Sequence, residues 1–162
     1  MTRATTRLEL KRWLASAPFN AYYRFRLLEF GGGECTIAVP CRREFERPGG
    51  DVSGPVFVAA ADVAVWLAVA TCRGADETWV TVDLKTTFLR AARHEPFTCT
   101  ARILKMGRRL VYAVAECVCG DGALLTHHTA MYARVRGRRP ASVRRRRQSP
   151  GKMSMTRRGN RS

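Results

Sequence analysis

One carboxylate stands where chemistry or structure must account for it. Asp62 interrupts VFVAAADVAVWLAVATC, the run from Val56 to Cys72 that is otherwise without charge. Burying a carboxylate among apolar neighbours costs free energy unless it has partners or a purpose. Two readings are open: a reacting group, or a structural carboxylate that caps or bridges across an interface. Upstream, Ser53-Gly54-Pro55 marks the start of a helix, and Pro55 suits its first turn. Ser53 could cap that helix through its hydroxyl. Arg47 could pair with Glu44, Glu46 or Asp51 in its own loop, or with a substrate phosphate or carboxylate. Arg90, Arg108 and Arg109 fall at strand ends or turns. They are either solvated turn residues or bidentate partners for phosphate. Thr81 lies in an alternating run, where a β-favouring residue needs no further role.

The elements that must position these residues can be read from periodicity. Residues 5 to 17 predict a short amphipathic helix with Leu8, Trp13 and Leu14 apolar, stopped by Pro18. Tyr22 to Phe30 and Cys35 to Val39 predict two strands around Gly31-Gly32-Gly33. A polar Gly/Pro-rich loop from Arg42 to Gly54 leads into the helix that carries Asp62. That helix is apolar nearly all round and must be enclosed by protein. Arg73-Gly74 closes it. Trp79 to Arg90 alternates with a period of two. Glu95 to Met106, Leu110 to Cys119 and Ala123 to Val135 predict three more strands, the last two joined by Gly120-Asp121-Gly122. The order predicts an α+β fold, with a curled antiparallel sheet of about six strands around a central apolar helix. The organisation reads as an N-terminal helix (1–18), a globular domain (19–135) and a basic tail without apolar period (136–162).

Charge is unevenly spread. Twelve of the 29 lysines and arginines fall from Arg134 onward with no acid among them. The first 133 residues therefore carry 17 basic and 13 acidic residues, an ordinary balance for a globular body. The tail could bind polyanions without sequence preference, but it lacks the interleaved aromatics of a stacking platform. Six cysteines show neither CxxC pairs nor zinc spacing, and read as free thiols of a reducing compartment. The chain opens without an apolar leader, and Pro55 to Thr71 is too short for an ordinary span, so a cytoplasmic protein without a membrane span is expected.

The stretch GPVFVAAADVAVWLAVA…TVDLKTTFLRAA, from Gly54 to Ala92, resembles the hot-dog thioesterases of the phenylacetate-pathway type. The likeness continues through Gly107-Arg108-Arg109-Leu110 and Ala130-Met131-Tyr132. Ser53 to Asp62 spans the interval that separates that family's His from its catalytic Asp. Where the commonest pattern has HGG, this chain has Ser53-Gly54-Pro55, and Arg47 replaces a frequent Asn. The RPGG-x-x-SGP loop is similar to one branch of the family.

The resemblance implies a hot-dog fold and hydrolysis of a small or medium acyl- or aryl-coenzyme A. It implies that Asp62 acts at the thioester carbonyl as nucleophile or general base. It places an oxyanion donor at the Gly54 N–H, and brings Thr81 to the site from a partner subunit. Arg47, Ser53, Arg90, Arg108 and Arg109 become candidate contacts for the substrate. No metal or cofactor is expected beyond coenzyme A as part of the substrate, and the protein is expected to be a homodimer or tetramer. Hot-dog dehydratases need a His beside the helix carboxylate, whereas the first His here is His94. The rival readings are a non-catalytic hot-dog module that binds acyl-CoA or a protein, and a nucleic-acid binder acting through the tail.

Overall fold

The computed structural model describes residues 5–74 and 77–135; the basic tail read at 136–162 lies outside them. Helix α1 (Arg7–Ser16) begins with a capping box in which Thr6 and Glu9 satisfy each other's backbone N–H groups. Its buried residues are Leu10 and Leu14, whereas Leu8 is exposed. A four-residue helix, α2 (Asn20–Tyr23), occupies the start of the segment expected to be strand. Asn20 bonds both the N–H and the C=O of Phe25, and Arg24 adopts a left-handed conformation. The chain therefore turns before β1 (Arg26–Gly31) can begin. Tyr22, Tyr23 and Phe25 favour strands by type, but the turn overrides them.

β1 pairs with β2 (Glu34–Val39), and a 3₁₀ turn at Arg43–Phe45 opens the loop to α3 (Gly54–Arg73). The remaining strands are β3 (Thr78–Phe88), β4 (Phe97–Met106), β5 (Leu110–Cys119) and β6 (Leu124–Val135). They form one antiparallel six-stranded sheet in the order β1-β2-β4-β5-β6-β3. The sheet is open, with β1 and β3 at its edges, and α3 lies against its inner face.

Small residues on both surfaces bring helix and sheet close: Ala60, Ala61, Ala64 and Ala68 from α3 meet a sheet face containing Ala101, Ala113, Ala115 and Ala130. At twenty residues α3 is longer than the apolar run suggested, and by length and composition alone it could cross a membrane. Eleven of its residues are buried, which makes it the core helix around which the sheet curls. Cys35, Cys99 and Cys117 are buried in that core, where desolvation pushes the Cys35 thiol up to about 12.

Candidate active site

Asp62 lies two turns into α3, half-buried, and its surroundings are built from β3 and β6. Thr81 on β3 and Tyr132 on β6 are paired directly across the two strands. Both hydroxyls donate to the same oxygen of Asp62: Thr81 Oγ1 at 2.6 Å and Tyr132 Oη at 2.5 Å from Oδ1. Tyr132 Oη also lies 2.8 Å from the Asp62 carbonyl oxygen. Burial first, then the adjacent Asp62 charge, pushes the Tyr132 phenol well above its ordinary value, so it remains a protonated donor. Among the described residues nothing hydrogen-bonds Asp62 Oδ2.

Local backbone explains how Thr81 arrives there. Pairing between β3 and β6 shifts register between Thr81 and Asp83. A bulge inserts one residue and re-aims its neighbours. Trp79 and Thr81 therefore face inward before it and Leu84 and Thr86 after it, while Val80 and Val82 are exposed. Where the resemblance implies that Thr81 comes from a partner subunit, here it meets Asp62 of its own chain.

At the start of α3, Ser53 occupies the N-cap position with extended backbone, but its side chain makes no capping hydrogen bond. The capping role expected of its hydroxyl is thus absent. The Val56 N–H is taken by the Ser53 carbonyl at 3.1 Å, and Pro55 has none to give. The Gly54 N–H is left without a hydrogen bond among the described residues. Gly54 and Asp62 line one open groove of about 630 Å³ with Pro55, Val58, Leu84 and Phe88.

Arg47 pairs with Asp51 at 3.0 Å, and Arg93 reaches the other oxygen of Asp51 at 3.1 Å. These hydrogen bonds, Arg93's first, hold the Asp51 carboxyl below its ordinary range. His94 bonds Glu46 at 2.9 Å, which ties the strand-end segment to the same loop. Arg90 lies 3.7 Å from Asp121, and shares with Arg47 and Gly54 a groove of about 400 Å³. Arg108 and Arg109 are exposed at the β4–β5 turn, beside the C-terminal end of α3, where Arg73 donates to the Gly107 carbonyl. Twenty helical residues rise about 30 Å, so those two arginines are not gathered with Arg47 and Arg90 in one chain.

His128 is buried between Thr86 on Nδ1 and Thr126 on Nε2, away from Asp62. Among the described residues no group of three or more His, Cys, Asp and Glu could hold a metal ion. Tyr132 is the site residue that sequence reasoning missed. Its one signal is an aromatic hydroxyl at an inward position of the last strand.

Residues 49–126, which run from the loop before α3 into β6, match the model of the thioesterase superfamily. A provisionally named esterase of Saccharolobus solfataricus is 29% identical over 61% of this chain and 70% of its own length. A second, from Thermoplasma acidophilum, is 25% identical over 76% of this chain and 93% of its own. Among solved structures, a thioesterase of Haemophilus influenzae superposes with TM-score 0.75 at 19% identity, covering 83% of this chain and 93% of that one. A mutant of the phenylacetic acid degradation protein PaaI from Thermus thermophilus gives 0.67 at 22%, covering 74% and 100%. The chain has the hot-dog fold.

Proposed function

We propose that the protein is an acyl-CoA thioesterase in which Asp62 is the general base for water. The observation that carries this reading is the hold on one carboxylate oxygen alone. Thr81 and Tyr132 hold Oδ1, while Oδ2, which no described residue hydrogen-bonds, is left to accept a proton on a residue that lines the groove. The matched thioesterase model and the esterase-named relatives support hydrolase chemistry. The loop Arg47-Pro48-Gly49-Gly50-Asp51-Val52-Ser53-Gly54-Pro55 fits the branch whose pattern it resembles.

Water attacks the thioester carbon as Asp62 takes its proton. The carbonyl oxygen becomes an oxyanion, stabilised by a backbone N–H at a helix N-terminus. Collapse breaks the C–S bond, and the proton passes to the leaving sulfur, giving a carboxylic acid and coenzyme A. Gly54 supplies the N–H, but not to the Asp62 of its own chain. Eight residues separate the two, a rise of about 12 Å, too far for both to act on one carbon.

The working site therefore pairs Asp62 of one chain with Gly54 of a second copy, and the protein is at least a dimer. The β3 edge suits that contact: its strand is unpaired on one side, and Val82, Phe88 and Leu89 are more than half exposed there or just beyond. Coenzyme A phosphates would lie by Arg47 and Arg90 on the chain that donates Gly54. Thiol release from a panel of acetyl-, octanoyl-, phenylacetyl- and benzoyl-CoA tests the activity. Turnover on a member supports it. A folded dimer that binds coenzyme A and turns over none of them supports a non-catalytic module instead.

A further inference from the structure

The loop between β2 and α3 ends on Gly54, whose N–H the proposed chemistry uses, and the residues just before it are tied down. The Ser53 N–H donates to the Phe45 carbonyl at 2.7 Å, and the Val52 N–H to the Ala92 carbonyl at 2.9 Å. The next N–H in the chain is that of Gly54. Phe45 and Ala92 are both buried, so two fixed carbonyls set the path on which the chain enters α3. Ala92 belongs to the connection between β3 and β4, where Arg93 and His94 follow it.

That connection grips the loop at two further points. Arg93 forms an isolated antiparallel bridge with Asp51 and bonds its carboxylate at 3.1 Å. His94 reaches further back, to Glu46, with Nδ1 2.9 Å from Oε1. An ionised carboxylate only accepts, so Nδ1 carries the proton of this bond. His94 adopts φ +49, a left-handed backbone that residues other than glycine rarely take. The loop meets it with Gly50, where a Cβ would stand 3.0 Å from His94 Nε2. Glycine at position 94 would hold the same backbone without strain, whereas histidine adds the bond to Glu46. A single exposed pair of this kind contributes little to stability. Strain kept for it points to a role other than stability.

We propose that Arg93 and His94 are positioning residues, which clasp the loop and aim the Gly54 N–H at the developing oxyanion. The inference rests on the thioesterase reading and extends it to the segment that orients one of its groups. Gly49 and Gly50, both at positive φ, give the loop a freedom that works against a fixed donor. An oxyanion donor is effective when it is preorganised, and the clasp supplies that order from outside the loop. An interaction that matters only in the transition state lowers kcat and leaves KM alone.

The test is His94→Gly in the full chain, assayed on the best acyl-CoA of the panel. Glycine is at ease at φ +49, so the urea midpoint should hold or rise. Loss of the Glu46 bond should nevertheless lower kcat by about tenfold or more, with KM changed by less than about twofold. Amide exchange at Val52 and Ser53 should quicken at neutral pH. His94→Asn tolerates a left-handed backbone and places an amide N–H near the position of Nδ1, so it should restore most of kcat and the protection. An unchanged kcat in folded, active His94→Gly protein overturns the clasp. So does a loss of kcat that accompanies a fall in the urea midpoint and is not recovered by asparagine. If the unaltered protein hydrolyses no acyl-CoA, the thioesterase reading falls and exchange alone decides. Faster exchange at Val52 and Ser53 in His94→Gly then keeps the clasp, and unchanged exchange removes it.

Discussion

At the scale of residues, a cross-strand hydroxyl pair holds one carboxylate oxygen. Thr81 and Tyr132 sit opposite each other on β3 and β6, and both donate to Asp62 Oδ1. Their contributions should differ, because Tyr132 is buried and also bonds the Asp62 carbonyl, while Thr81 is exposed. Tyr132→Phe is expected to cost about 1–3 kcal/mol of stability, read from urea unfolding, and to lower kcat more than Thr81→Ala does. Equal losses in kcat would contradict the arrangement. Asp62 was legible in the sequence because it is the one charge in a long apolar run. Tyr132 was not, because its role depends on a contact with a residue 70 positions away. The inward turn of Thr81 was equally hidden, since strict alternation does not show a bulge at Val82.

Among the elements, α3 and the loop before it carry the geometry. Leu67 is fully buried in the helix face against the sheet, and Leu67→Ala should destabilise the fold by about 2–5 kcal/mol, measured by denaturant midpoint. The loop is pinned by charge. Arg93 and Arg47 depress the Asp51 carboxyl below its ordinary 3.8. The stability this pairing gives is present above that value and is lost as the pH falls below it, through the depressed folded value. Amide hydrogen exchange across residues 47–53 should therefore rise in acid, and Asp51→Asn should raise it at neutral pH. Unchanged exchange in the variant would show that the ion pairs do not hold the loop. Most elements were readable from apolar periodicity and Gly or Pro punctuation. The strand expected from Tyr22 was misplaced because Asn20 side-chain bonding favours a turn. The Ser53 cap failed because residue type alone does not fix the hydroxyl's direction.

For the whole molecule, the spacing of Gly54 and Asp62 on one helix makes a solitary chain insufficient for the proposed chemistry. The exposed apolar residues at the β3 edge are where a second copy would close the site. Val82→Lys is expected to yield folded monomers by sedimentation velocity, with hydrolysis lost alongside the dimer. An active monomer would refute the shared site. Sequence could set the fold class from element order, but it could not show that Arg108 and Arg109 lie at the opposite end of α3 from Arg47 and Arg90, because their separation is a property of the folded sheet. Deleting residues 136–162 should leave hydrolysis intact, and any salt-sensitive polyanion binding should be lost with the basic tail. The most direct test of the central claim compares the chain with its Asp62→Asn variant in octanoyl-CoA hydrolysis, with dimer and fold checked in both. The account predicts that the variant stays dimeric and loses about 10²–10⁴-fold in kcat; a variant that hydrolyses the thioester at the original rate contradicts it.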